Sequence, residues 1–100
     1  MNRNRLLYDI ATVYGATGIK PNSAQNFLLS KISIALGGVG GVSNNRNHLL
    51  DEILTRLGGT PSKPSSRNDI LVAINTAITP VYTSIDYNRN KLLTDWLGMI

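Results

Sequence analysis

The chain has no cysteine in its 100 residues, so disulfides, thiolate metal sites and a cysteine nucleophile are all excluded. Its single histidine, His48, rules out a histidine-rich metal site and leaves one imidazole for any nucleophile–base pair. Aromatic residues are few, and Tyr8, Tyr14, Phe27, Tyr82, Tyr87 and Trp96 do not interleave with the arginines, which argues against a stacking platform for single-stranded nucleic acid. No long apolar run exists. The nearest, "ISIALGGVGGV", falls far short of the ~20 residues that span a bilayer and is broken by glycine. The opening "MNRNRLLYDIATVYGATG" places Asp9 where a signal peptide needs an apolar stretch, so a soluble chain without a secretion signal is expected. "GGVGG" has no following Lys-Ser/Thr and is no P-loop.

What the chain does have is repetition. "NRNRLL" begins at Asn2, "NRNHLL" at Asn45 and "NRNKLL" at Asn88. Aligned on the asparagine before the apolar pair, Asn4, Asn26, Asn47, Asn68 and Asn90 recur at spacings of 22, 21, 21 and 22. The copies read "NRLLYDI", "NFLLSKI", "NHLLDEI", "NDILVAI" and "NKLLTDW", and they cover the whole chain. A single domain over 1–100 follows, with units of approximately 2–22, 23–43, 44–64, 65–86 and 87–100.

Each unit has the pattern of one short amphipathic helix. Leu49, Leu50, Ile53, Leu54 and Leu57 share a face at 3.6 residues per turn. So do Leu6, Leu7, Ile10, Val13 and Tyr14; Leu28, Leu29, Ile32, Ala35 and Leu36; Ile70, Leu71, Ile74, Ala77 and Ile78; and Leu92, Leu93, Trp96, Leu97 and Ile100. None of these segments shows the period-two alternation that a strand would need. N-caps are expected at Asn2, Ser23, Asn44 or Asn45, Ser65 or Ser66, and Asn88. Gly15, Gly37 and Gly58 suit left-handed stops, and Pro80 after Thr79 halts the fourth helix. Helices of about 11–13 residues, near 18 Å, are too short to stand alone, so they must pack on one another. The fold expected is all-α, five helices in a repeat array joined by Gly/Pro/Ser-rich linkers.

The linkers, about eight to ten residues, could carry the chain back along each helix to give parallel helices in a solenoid-like stack, or turn directly into an antiparallel neighbour. The full "NRN" phrase returns at intervals of 43, from Asn2 to Asn45 to Asn88. That alternation favours helix pairs and a compact antiparallel array. "VYTSIDY" (81–87) is β-branched and aromatic and reads as a short extended segment, one able to pair with a partner chain.

The asparagine column suggests structure, not catalysis. Its short arm carries both donor and acceptor, fit to bond its own first turn or an adjacent linker, or to act as a cap in another register. Arg3, Arg46, Arg67 and Arg89 stand directly before it, with Gln25 in the remaining unit. Near helix N-termini such a row would suit an anion, and so a nucleic acid or the acidic face of a protein. Equally, it would suit pairing with carboxylates of adjacent units, or plain solvation. The carboxylates are Asp9, Asp51, Glu52, Asp69, Asp86 and Asp95; Asp9, Glu52 and Asp95 share one repeat position, as a solvated or inter-unit stripe would. His48 fills a variable surface slot. No catalytic, metal or cofactor residues are expected. Net charge is +4, with the basic residues dispersed. Trp96, Leu97, Met99 and Ile100 leave an apolar C-terminal end, able to meet a partner or to close the core.

The units "NRNRLLYDI", "NRNHLLDEILTRLGG" and "SRNDILVAI" resemble short helical repeats of small virion proteins of tailed bacteriophages, cyanophages among them, over essentially the full chain. The second unit departs with "AQNFLL", and the fifth stops shortly after Gly98. The resemblance implies a non-enzymatic part of the particle, on the head or at the neck or tail, made in the host cytoplasm and binding other virion proteins or further copies of itself, with no membrane role. Candidate contact residues are Arg3, Arg46, Arg67, Arg89, Trp96, Met99 and Ile100. The alternative is a small basic nucleic-acid-binding module using the arginines.

Overall fold

A computed structural model describes residues 2–41, 45–61, 66–83 and 87–100. Five helices fill these residues: α1 (Arg3–Val13), α2 (Gln25–Ala35), α3 (Arg46–Arg56), α4 (Arg67–Ile78) and α5 (Arg89–Met99). No strand occurs among the described residues, and no helix of theirs is long and apolar enough to cross a membrane. The 21–22-residue period is the spacing of the helix starts.

Local chemistry sets the ends. The side chains of Asn2, Asn45, Ser66 and Asn88 accept from the backbone amides of Arg5, His48, Asp69 and Lys91. Ser66 and Asp69 complete a capping box. The second unit differs: Ala24 is its N-cap and makes no side-chain bond. Ser23, the expected cap, instead accepts from the Lys20 amide. Position 44 and Ser65, the alternative caps, lie outside the described residues, as does the middle of 81–87. Gly15, Gly37 and Gly58 take φ of +87°, +93° and +93°. The amides on either side of this bend reach back to the last-turn carbonyls, as from Gly58 to Thr55 and from Gly59 to Leu54.

The helices form neither pairs nor an antiparallel array. Each packs on its two sequence neighbours, and α5 packs on α1, so the set closes into a ring. The first residue of every helix lines one common axial cavity: Arg3, Gln25, Arg46, Arg67 and Arg89. Five N-termini at one end of one axis mean five parallel helices, and each linker runs back to the starting end. The "NRN" alternation thus marks variation within a ring of single helices. The molecule measures 33 × 27 × 20 Å. A helix of this length rises about 16 Å, which fits a disc with its helices running through the thickness.

The core is this shared axis. Leu7, Leu29, Leu50, Leu71 and Leu93 line it one turn below the first residues. Beneath them Ile10, Ile32, Ile53, Ile74 and Trp96 are fully buried, and Leu6, Leu28, Leu49, Ile70 and Leu92 are buried with them. Two expected core positions move outward: Val13 is 53% exposed and Ala35 is exposed. Ala11 and Ser33 are buried in their place. With the axis direction midway between Leu6 and Ala11, Val13 sits roughly 90° around the helix from it. Asn75, equivalent to Ser33, is buried too and donates to the Leu92 carbonyl at 3.1 Å.

The stripe of Asp9, Glu52 and Asp95 is partly inter-unit. Glu52 of α3 accepts from the Ser33 hydroxyl of α2 and from the Gly40 amide, fastening the linker before its own helix. Asp95 does likewise for Tyr82, 2.7 Å away, and takes Lys91 in an ion pair. Asp9 pairs within its helix, with Arg5. The bonds from Ser33 and Gly40 hold the Glu52 carboxyl below its ordinary range. A depressed carboxylate pKa gives stability that is present above the unfolded value and lost as pH falls through the folded one. Glu52→Gln is therefore expected to flatten part of the acid limb of a urea-denaturation profile against pH; an unchanged limb would remove Glu52 from it.

Ring closure has its own test. Opening the chain at Gly58–Pro61 and joining Ile100 to Asn2 through a copy of "GATGIKPNS" should give a permutant with the parent's helical circular dichroism and a similar melting midpoint. A molten product would show that α1 and α5 do not belong side by side.

Candidate functional site

The first residue of each helix is placed by its cap and its neighbour. Going round the ring, each such side chain donates to the repeat asparagine of the preceding unit. Arg46 Nε reaches Asn26 at 3.0 Å, Arg67 reaches Asn47 at 3.1 Å and Arg89 reaches Asn68 at 3.2 Å. Gln25 Nε2 reaches Asn4 at 3.1 Å. Arg3 closes the cycle on Asn90 at 3.1 Å, across 87 positions of sequence. The asparagines also hold linkers: Asn4 donates to the Ser23 carbonyl at 2.8 Å and Asn68 to that of Tyr87 at 3.2 Å. The linker bond is the one the column suggested; the bond to the arginine of the next unit was not foreseen.

This pairing fixes the arginines without neutralising them, because an amide oxygen carries no net charge. Arg3, Arg46, Arg67 and Arg89 are all half-buried. Among the described residues the ion pairs are Arg5–Asp9 and Lys91–Asp95, and neither involves the ring. The carboxylate pairing considered from sequence is thus replaced by pairing with neutral asparagine. Burial first, then the charges of Arg3, Arg67 and Arg46, push the Arg89 guanidinium below its ordinary range. Five helix N-termini add their partial positive charges at the same end. The axial cavity that these residues line together with the five leucines, about 20 Å³, has room for about one water.

The other candidates lie elsewhere. Trp96 is fully buried and donates from its indole to Tyr14 Oη at 3.0 Å, so it closes the core between α5 and α1 and offers no contact surface. That explains the apolar end: in a closed ring the fifth unit is an inner wall. Met99 and Ile100 are half-buried at the opposite end of the disc from the arginines. His48 is exposed, over a shallow groove with Asp51, Glu52, Thr55, Arg56 and Pro61. No group of three His, Asp or Glu residues is gathered to hold a metal among the described residues. The chemistry this arrangement offers is capture of negative charge on one axis. Compared with protein-family models, with curated proteins and with solved structures, the chain matches none.

Four clustered like charges make salt stabilising. The melting midpoint is expected to rise with sodium chloride from low ionic strength, as screening relieves the repulsion. Arg67→Gln, which copies the side chain that already serves at Gln25, should shrink that rise. A midpoint that falls with salt in the parent would contradict an uncompensated ring.

Proposed function

We propose that this protein is a non-enzymatic structural component of a larger particle, and that it holds a neighbouring molecule by an acidic group seated on its arginine-ringed face. The observation that carries the reading is the ring itself: four guanidiniums, fixed by neutral asparagines, with no carboxylate in the described residues to balance them. Clustering like charge costs stability, and a counter-charge from outside the chain would recover it. The resemblance of the repeat units to phage virion proteins supplies the setting, a many-copy part that works by contact. The other described faces offer shallow grooves, which suits a building element.

The nucleic-acid reading uses the same arginines, but they surround a point instead of following a line. Such a face can meet one phosphate at a time, whereas a duplex-binding track would meet several and give a salt slope of about −0.9 for each phosphate neutralised.

The experiment is particle proteomics with a salt wash. The chain should be found with purified particles in defined copy number and be released as ionic strength rises. Arg46→Gln with Arg67→Gln should release at lower salt than the parent. A chain found only in the soluble fraction, or held equally well without the arginines, would defeat this reading.

A further inference from the structure

We propose that the arginine ring is a receptor for one tetrahedral oxyanion of the phosphate class, seated on the ring axis at the N-terminal ends of the five helices. This deepens the preceding reading and rests on its identification of the ring as the working face. The argument is one of shape and charge. Arg3, Arg46, Arg67 and Arg89 approach the axis from four of five directions, and Gln25 from the fifth. In each arginine Nε is already committed to an asparagine, which orients the plane of the guanidinium and leaves its Nη groups as the remaining donors. Among the described residues, Arg46 spends one of these within the ring, giving Nη1 to Gln25 at 3.1 Å.

A planar carboxylate offers two oxygens in one plane and is best served by a single bidentate arginine. Donors converging from around a circle are better matched by an anion with three or four oxygens spread about the axis. A dianion also answers more of the four positive charges than a carboxylate or a phosphodiester can. The axial cavity between the ring residues and the five leucines, about 20 Å³, is too small for the anion, so the group sits at the guanidiniums and not deeper.

Two sources share this chemistry, free phosphate and the terminal phosphate of a monoester, and small probes separate them. Inorganic phosphate, phenyl phosphate, dimethyl phosphate and acetate would each be titrated at pH 8 and constant ionic strength, by calorimetry and by the arginine Nε–H signals in 15N NMR. Saturable binding of one phosphate per chain, moving the four arginine signals, is expected. Dimethyl phosphate and acetate should be weaker. Phenyl phosphate as tight as phosphate would identify a site open to an esterified group; phosphate alone would identify a free-ion site, and either result supports an oxyanion receptor. Arg67→Gln and Arg89→Gln should each weaken phosphate binding about tenfold, the loss of one charge-assisted bond. Gln25→Arg should tighten it. That gain guards against mistaking damage to the fold for loss of the site.

No saturation by phosphate, equal effects from acetate, or affinity indifferent to Arg67→Gln and Gln25→Arg would overturn the proposal. The two readings fail separately. Arginine-dependent particle retention without phosphate binding would sink the receptor alone. Phosphate binding with arginine-independent retention would sink only the docking role.

Discussion

A helix of eleven or twelve residues does not hold itself together in water, and this molecule is organised around the way five of them share one axis. Each brings a buried arc of two adjacent aliphatic residues and an Ile or Trp that is too wide to cover against a single partner. Two flanking neighbours and the axis together can cover it. Closure of α5 on α1 gives every helix the same two-sided environment, so no unit needs the polar outer face that caps an open repeat array. The linkers pay for this with length, since each must return along the disc before the next helix begins.

Parallel closure then dictates the electrostatics. In an antiparallel bundle the helix dipoles would oppose one another; here all five N-termini meet at one face, and the first residue of each helix is brought to the axis by the same geometry that brings the leucine four positions later. The asparagine column makes this tolerable. It gives each arginine a partner across the helix–helix seam and ties the next linker, as seen at Asn4 and Asn68, with a side chain short enough to fit the first turn. Gln25 makes the same seam bond without a charge and accepts from Arg46 as well. The seam bond and the positive charge are therefore separable, and four of five units carry a charge that the seam does not require.

The sequence made the units, the caps and the stops legible because each depends on neighbours a few residues away. The period located every helix, and Asn2, Asn45, Ser66, Asn88 and the stop glycines Gly15, Gly37 and Gly58 act where spacing put them. Direction and closure were not legible. A 3.6-residue stripe looks the same whether its neighbour runs parallel or antiparallel, and linkers of this length serve both. The error at Val13 and Ala35 has a related origin: the apolar pattern does not fix the centre of the buried arc, and only the position of the axis shows that Ala11 and Ser33 point inward. Of the two readings open for the apolar end, Trp96 takes the core-closing one, since an apolar chain end signals exposure only in an open array.

The candidate site was half visible. The arginine row could be read from spacing, but a row and a ring make different demands on a ligand, and it was the closing bond from Arg3 to Asn90 that turned one into the other. A row spreads its charges so that each can be solvated or paired by itself. A ring concentrates them, and Arg89, pushed off its ordinary range by burial and by its three fellows, registers that concentration. Folding therefore does more than display these arginines: the hydrophobic closure of the leucine layers forces four positive charges together. An anion on the axis would stabilise the assembled ring more than any one unit, which couples binding to the closed state of the whole disc.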